Sequence, residues 1–307
     1  MSKLSRRATL KGIGALGIAS ALGASGARSE TGAVVTKPIP STGEQLPVVG
    51  MGSWITFDVG EDEAARAERV KVLQAFFDGG GAVVDSSPMY LSSQEVIGYC
   101  LAQIASKQSL FAATKVWILG KQLGIGQMEG SQNLWGVDRF DLLQIHNMVD
   151  WETHLETLLD WKQQGRVRYV GITTSHGRRH DEMEEVMKTQ PFDFVQFTYN
   201  ILDREAEERL LPLAAEHGIA VIVNRPFRRG DLIERFGGQP LPEWAGEIGC
   251  ANWAQFLLKF AVSHSAVTCA IPATSRVDHM QENIGAAYGA LPDAQMRARM
   301  IDYIESL

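Results

Sequence analysis

Short apolar runs recur along the chain, separated by stretches with helical periodicity. The runs are Val48–Met51, Ala82–Val84, Leu110–Ala113, Leu142–Ile145, Val167–Ile172, Phe194–Phe197, Ala220–Val223 and Val267–Ile271. Each is nearly continuous and bounded by polar or turn residues, the pattern of a strand buried on both faces. Between them, apolar side chains recur at spacings of three and four, which marks helices with one buried face. Examples are Val70, Leu73, Phe76 and Phe77 in Glu63–Asp78, Leu155, Leu158 and Leu159 in Trp151–Gln164, and Trp253, Phe256, Leu257 and Phe260 in Asn252–His264. Gly165 and Gly218 stand where a helix should stop ahead of a strand. Upstream, Val34–Val49 reads as a hairpin turning at Ser41-Thr42-Gly43-Glu44. The Gly- and Pro-containing stretch Leu232–Gly249 reads as a surface loop before the last strand.

Eight strands alternating with helices predict an α/β fold, a (β/α)8 TIM barrel. The hairpin precedes its first strand. The competing arrangement, an open doubly wound sheet, usually carries G-x-G-x-x-G after its first strand. Gly50-Met51-Gly52 has no third glycine in register, so it reads as a tight strand exit. Composition agrees with a globular chain: 307 residues, 45% hydrophobic and 21% charged.

Charge divides the chain in two. Residues 1–27 hold four of the 29 basic side chains and no acidic one, so the remaining 280 residues carry 25 basic against 36 acidic groups, a formal −11. That acidic remainder argues against a nucleic-acid partner, which would need a cationic footprint. The basic head has the layout of an export signal: a positive start, the mildly apolar Gly12–Gly26, and small residues up to Ala27. Ser5-Arg6-Arg7-Ala8-Thr9-Leu10-Lys11 resembles the bacterial twin-arginine (Tat) pattern S-R-R-x-F-L-K, departing only at Thr9. Gly12–Gly26 is too short and glycine-rich for a spanning helix, which takes roughly 20 apolar residues. The expectation is a leader over 1–27 read by the Tat export machinery and cleaved near Ala27. A single barrel domain over 28–307, without a stable membrane span, would be delivered to the periplasm or beyond. Cys100, Cys250 and Cys269 are too widely spaced to form a disulfide framework.

Barrels of this kind build their sites at the C-terminal ends of the strands. Polar or ionisable residues follow nearly every run: Asp85 to Tyr90, Thr114-Lys115, His146-Asn147, Thr173-Thr174, Gln196, Asn224-Arg225 and Pro272 to Arg276. Asp85, Tyr90, Lys115 and His146 make a coherent chemical set. A phenol with a pKa of about 10 is a poor proton donor near neutrality, and a neighbouring ammonium lowers that pKa. A carboxylate holds the ammonium in place, and a neutral imidazole can orient a carbonyl oxygen. Together the four read as a device that protonates a carbonyl oxygen while hydride reaches its carbon. Alone, an Asp–Lys pair or a strand-end His is more often structural.

On these residues the chain resembles the aldo-keto reductase family over essentially all of Val34–Leu307. The D-x4-Y spacing of Asp85 and Tyr90, Ala113–Val116, Leu143–His146, Gly165–Ile172, and Ile271-Pro272 with Glu282-Asn283 carry the resemblance. It implies reduction of a small carbonyl compound to an alcohol, or the reverse. Tyr90 would be the general acid, Lys115 and Asp85 would tune it, His146 would position the carbonyl, and NADPH or NADH would supply hydride. The implied cofactor residues are Thr173, Thr174 and Gln196 at the carboxamide, and Asn224 where an aromatic often stacks. Arg225 and Phe227 lie beside or within a loop resembling the family's pyrophosphate cover. Thr274, Ser275 and Arg276 lie at the 2′-phosphate, with Glu282 and Asn283 beyond. Trp54, Met89, Trp117 and Asn147 are expected to line the substrate pocket, and the short Val116–Trp135 segment to leave its mouth open.

Two other classes compete. His176 and His180 have a metal-ligand spacing that would suit a barrel hydrolase, but Gly177-Arg178-Arg179 between them reads as a turn and no third ligand is apparent, so no metal is expected. A non-catalytic nicotinamide-binding module on the same scaffold would have no need of a tuned phenol.

Overall fold

The computed structural model describes residues 32–307. The leader expected over residues 1–27 lies outside them. The chain enters through an antiparallel hairpin, β1 (Thr36–Pro38) and β2 (Gln45–Pro47). Eight parallel strands follow: β3 (Met51–Gly52), β4 (Val83–Asp85), β5 (Phe111–Val116), β6 (Phe140–Ile145), β7 (Val167–Thr173), β8 (Phe194–Thr198), β9 (Ala220–Asn224) and β10 (Val267–Ala270). They pair in sequence order from β3 to β10. Bridges Val49–Ala270 and Gly52–Ala273 join the ends, so the sheet closes into the expected barrel.

The glycines that gave only a partial dinucleotide signature belong to this seam. The Gly50 N–H donates to the Ala270 carbonyl at 2.8 Å and the Gly52 N–H to that of Pro272 at 3.0 Å. A Cβ on Gly52 would sit 2.9 Å from the Ile271 carbonyl oxygen. The two strands approach closely enough to close the barrel because the β3 side carries no side chain at Gly50 or Gly52.

Helices α1 (Glu63–Asp78), α2 (Ser93–Gln103), α3 (Lys121–Trp135), α4 (Trp151–Gln163), α5 (His180–Thr189), α6 (Leu210–His217), α7 (Asp231–Phe236), α8 (Trp253–Ser263), α9 (Val277–Gly285) and α10 (Ala294–Glu305) follow or flank the strands. Local chemistry sets several ends. Asp62 accepts the Ala65 N–H at 2.9 Å and caps α1, and Asn252 accepts that of Gln255 and caps α8. Gly218 closes α6 in the left-handed region at φ 64°. Phe76, Leu158, Phe256 and Phe260 bury the helical stripes between sheet and helices. A second cluster fills the barrel interior, with Val83, Phe111, Leu142, Phe194 and Ile222 capped by Ile39 and Leu46 of the hairpin segment. Cys100, Cys250 and Cys269 are free and buried. No helix of the described residues is long and apolar enough to cross a membrane.

Two segments differ from expectation. Leu232–Gly249 is not a surface loop: α7 and a 3-10 turn over Glu243–Ile248 bury Leu232, Phe236, Ala245 and Ile248. Phe236 stacks on Trp253 of α8 with ring centroids 5.6 Å apart. These pieces are too short to show periodicity and are held by the helix they cover. Val116–Trp135 is largely α3 rather than a short open loop, and Trp135 is buried against Phe140.

Candidate active site

Adjacent strands β4, β5 and β6 end beside one another, and their last residues converge at the C-terminal mouth. Lys115 lies wholly buried in β5 and its Nζ donates to Asp85 Oδ1 and, at 2.8 Å, to the Ser86 carbonyl. Asp85 Oδ2 accepts from Gln144 Nε2 at 2.9 Å and from Gln196 Nε2 at 3.3 Å, and Gln196 also bonds Gln144 Oε1 at 3.1 Å. A buried ion pair survives only when its remaining hydrogen-bonding capacity is used in this way. Gln144 was missed as a functional candidate; its signal was a polar side chain inside the apolar run Leu142–Ile145.

Tyr90 sits on the turn after β4. Its ring centroid is 5.2 Å from Lys115 Nζ and 5.6 Å from the His146 ring, edge-on. The phenolic hydroxyl has no hydrogen-bond partner among the described residues. Burial, and then the Asp85 carboxylate, push its pKa above that of an ordinary phenol. This reverses the expectation of a lowered pKa. The Lys115 charge is neutralised by Asp85, so desolvation of the phenolate prevails. Burial and the Lys115 ammonium hold His146 well below its ordinary pKa, so the imidazole is neutral. Its Nδ1 lies 2.7 Å from Ser87 Oγ.

A cavity of about 610 Å³ opens above these groups. Asp85, Tyr90 and His146 reach its wall, and Lys115 lies behind it. Trp54, Met89 and Asn147 line it, as do Thr173, Thr174, Gln196, Asn224, Arg225, Phe227, Thr274, Glu282 and Asn283. Three expected residues do not. Trp117 is 41% exposed on the outside, and its backbone N–H and carbonyl are both bonded to the Gln127 side chain, which holds the turn away from the mouth. Arg276 is turned outward onto Asp278, two residues on, with an Nε–Oδ1 distance of 3.0 Å. Ser275 is half-buried beside it, its carbonyl turned towards Arg69.

Several lining groups are already engaged. The Thr173 hydroxyl accepts the Asn147 N–H at 3.0 Å, and that of Thr174 donates to the Arg178 carbonyl at 2.6 Å. Asn224 accepts from the Thr198 hydroxyl at 2.7 Å and donates to the Thr174 carbonyl at 2.8 Å, tying strand ends together. Arg225 differs. Its Nη1 is buried with no partner and its backbone lies at φ 53°. A guanidinium N–H left open in a cavity wall fits a phosphate oxygen, so the residues suit an anionic dinucleotide. Arg229 lies in the loop that resembles the family's pyrophosphate cover, whose arginines are expected to suit an anionic ligand. Its guanidinium lies 4.3 Å from the Trp54 ring centroid, across the mouth.

His176 lies on a turn at φ 63° with Nδ1 2.8 Å from Ser175 Oγ, and His180 begins α5. No group of three or more metal-ligating side chains is found among the described residues.

A model of the Aldo/keto reductase family matches residues 48–302. Methylglyoxal reductase YeaE of Escherichia coli is 26% identical over 258 residues, covering 82% of this chain and 89% of the relative. An aldo/keto reductase of Klebsiella pneumoniae, crystallised with NADP and acetate, superposes with a TM-score of 0.72 at 23% identity over 85% of this chain and 92% of its own. The holo form of AKR11C1 from Bacillus halodurans gives 0.72 at 22% identity, over 89% and 96%.

Proposed function

The chain belongs to the aldo/keto reductase family, and from that premise we propose that it interconverts carbonyl compounds and alcohols with NADPH, or NADH, as partner. A dinucleotide held in this groove would supply the hydride for the carbonyl carbon. Every other task falls to the chain. The carbonyl oxygen is held between the Tyr90 hydroxyl and His146. Tyr90 passes its proton to that oxygen as negative charge develops on it. His146, neutral, steadies the oxygen by a hydrogen bond. The Lys115–Asp85 pair, braced by Gln144 and Gln196, fixes the floor beneath the phenol. Arg225, with its open N–H, would hold the cofactor phosphates, and Phe227, Thr274, Glu282 and Asn283 line the rest of the groove. Trp54 and Met89 give the substrate side an apolar wall, with Asn147 as its polar element.

One observation carries this reading: the Tyr90 phenol, its hydroxyl without a partner among the described residues, lies beside a buried ion pair at the wall of an open cavity. The name of the E. coli relative and the NADP in the Klebsiella structure support the substrate class and cofactor. The test is a fluorescence titration with NADPH and NADH, then assays across aldehydes, ketones and sugars. Cofactor oxidation coupled to loss of a carbonyl is expected. Tight cofactor binding without turnover across the panel would favour the non-catalytic binding module instead.

Export belongs to the same proposal. The Ser5–Lys11 pattern supports delivery by the twin-arginine route, which accepts folded, cofactor-loaded proteins. Cell fractionation tests it: the processed chain is expected outside the cytoplasm, and full-length protein confined to the cytoplasm would overturn it.

A further inference from the structure

Ser87 lies two residues beyond Asp85 and is wholly buried. Its Oγ accepts the Met89 N–H at 3.2 Å and stands 2.7 Å from His146 Nδ1. Among the described residues these are its side-chain partners. A neutral imidazole carries one proton, on Nδ1 or on Nε2, and the hydrogen bond at one nitrogen decides which. If Nδ1 carried it, Ser87 Oγ would accept two N–H groups, and its own hydroxyl proton would be buried without an acceptor. That arrangement leaves an unsatisfied donor at a position with no exposed surface. With the proton on Nε2, both the Ser87 hydroxyl and His146 Nδ1 are satisfied, and the Nε2–H is left to face the cavity. Met89 N–H donates to Ser87 Oγ, and the Ser87 hydroxyl donates to Nδ1.

We infer that Ser87 is a positioning residue that fixes the tautomer and orientation of His146, so that the imidazole presents an N–H, and no lone pair, to the cavity. The inference rests on the carbonyl-reduction reading of the site. His146 Nε2 has no protein partner among the described residues, and the ring lines the cavity. An Nε2–H there donates to a carbonyl or alkoxide oxygen but cannot remove a proton from an alcohol. Tyr90 is then the one group at that oxygen that moves a proton, in either direction of the reaction. Bound on one side by Ser87 and edge-on to Tyr90 on the other, the imidazole has little freedom to rotate.

The test uses the full chain with 15N-labelled histidine. Two-bond proton–nitrogen correlations are assigned to His146 by their loss in His146→Gln. The wild type is expected to show a protonated Nε2 and a hydrogen-bonded, unprotonated Nδ1. In Ser87→Ala the Nδ1 resonance should move to that of an unbonded nitrogen, and kcat should fall about 10- to 100-fold through lost orientation. KM for the carbonyl and the affinity for NADPH should change little. Ser87→Thr keeps the hydroxyl and should restore both resonance and kcat. A protonated Nδ1 in the wild type overturns the inference. So does a Ser87→Ala protein that binds NADPH and keeps the wild-type resonance and kcat. If Ser87→Ala does not fold, the wild-type and Ser87→Thr spectra still decide. The spectra need no turnover, so a wild type that reduces no carbonyl would remove the reductase reading and leave the tautomer result standing.

Discussion

Tyr90 is where residue-level chemistry is most exposed to test. Its pKa lies above the ordinary phenol value in the folded protein, through burial and the Asp85 carboxylate. The sign follows directly: the phenol holds its proton through the whole neutral range and begins to lose it only above pH ~10. The kcat/KM of reduction, which reports the free enzyme, should therefore stay level across pH 6 to ~9 as far as this group is concerned. Tyr90→Phe should bind cofactor normally and lose reduction by about 10²- to 10⁴-fold. A break near pH 7 to 8 in the wild type that is missing from the residual activity of Tyr90→Phe would show a lowered phenol. It would sink the view that Lys115 and Asp85 neutralise each other. The four ionisable residues were legible in the sequence because each ends, or closely follows, a strand. The direction of the Tyr90 shift was not, since it depends on how far the Lys115 charge is spent on Asp85. The sequence also could not show that the Arg276 guanidinium pairs with Asp278, two residues on, because both side chains are exposed and either could have turned elsewhere.

At the scale of elements, strands buried on both faces announced themselves as continuous apolar runs, and β4 to β10 fall close to where those runs stand. β3 is reduced to Met51–Gly52 because its neighbourhood is a seam, bonded to β10 and the Pro272 segment through single bridges. No side-chain pattern encodes that closure; the glycines do. Gly52→Ala would force a Cβ to 2.9 Å from the Ile271 carbonyl oxygen, a backbone atom that cannot swing aside. The expected cost is about 1 to 3 kcal/mol, as for other overpacked sites. Denaturant unfolding would measure it, and an unchanged midpoint would show that the seam yields more easily than its hydrogen bonds indicate. Elements as short as α7 left no such trace, because six residues are too few to establish a period and their stability comes from α8.

At the scale of the whole molecule, the barrel separates its two ends. The mouth carries the polar strand ends and the cavity, while the opposite end is closed by the entering hairpin. There Ile39, with no exposed surface, joins the interior cluster beneath Phe111, Tyr169 and Phe194. The turn around it is held by the Ile39 N–H donating to the Glu44 carbonyl at 2.8 Å. Outside, Glu44 receives the Tyr169 hydroxyl at 2.6 Å and pairs with Arg168. In this architecture the bottom face supplies stability and the top face chemistry. Ile39→Ala should therefore separate the two. Removing a buried isoleucine side chain costs about 2 to 5 kcal/mol, and each kcal/mol lowers the Tm of a domain of comparable size by about 2 to 4 °C. Below the shifted transition, kcat and KM should match the wild type, because the cavity at the other end is untouched. Thermal scans and kinetics on the same preparation make the comparison. A variant with an unshifted Tm, or with a kcat that falls while the protein remains folded, would show that plug and site are coupled through the strands between them.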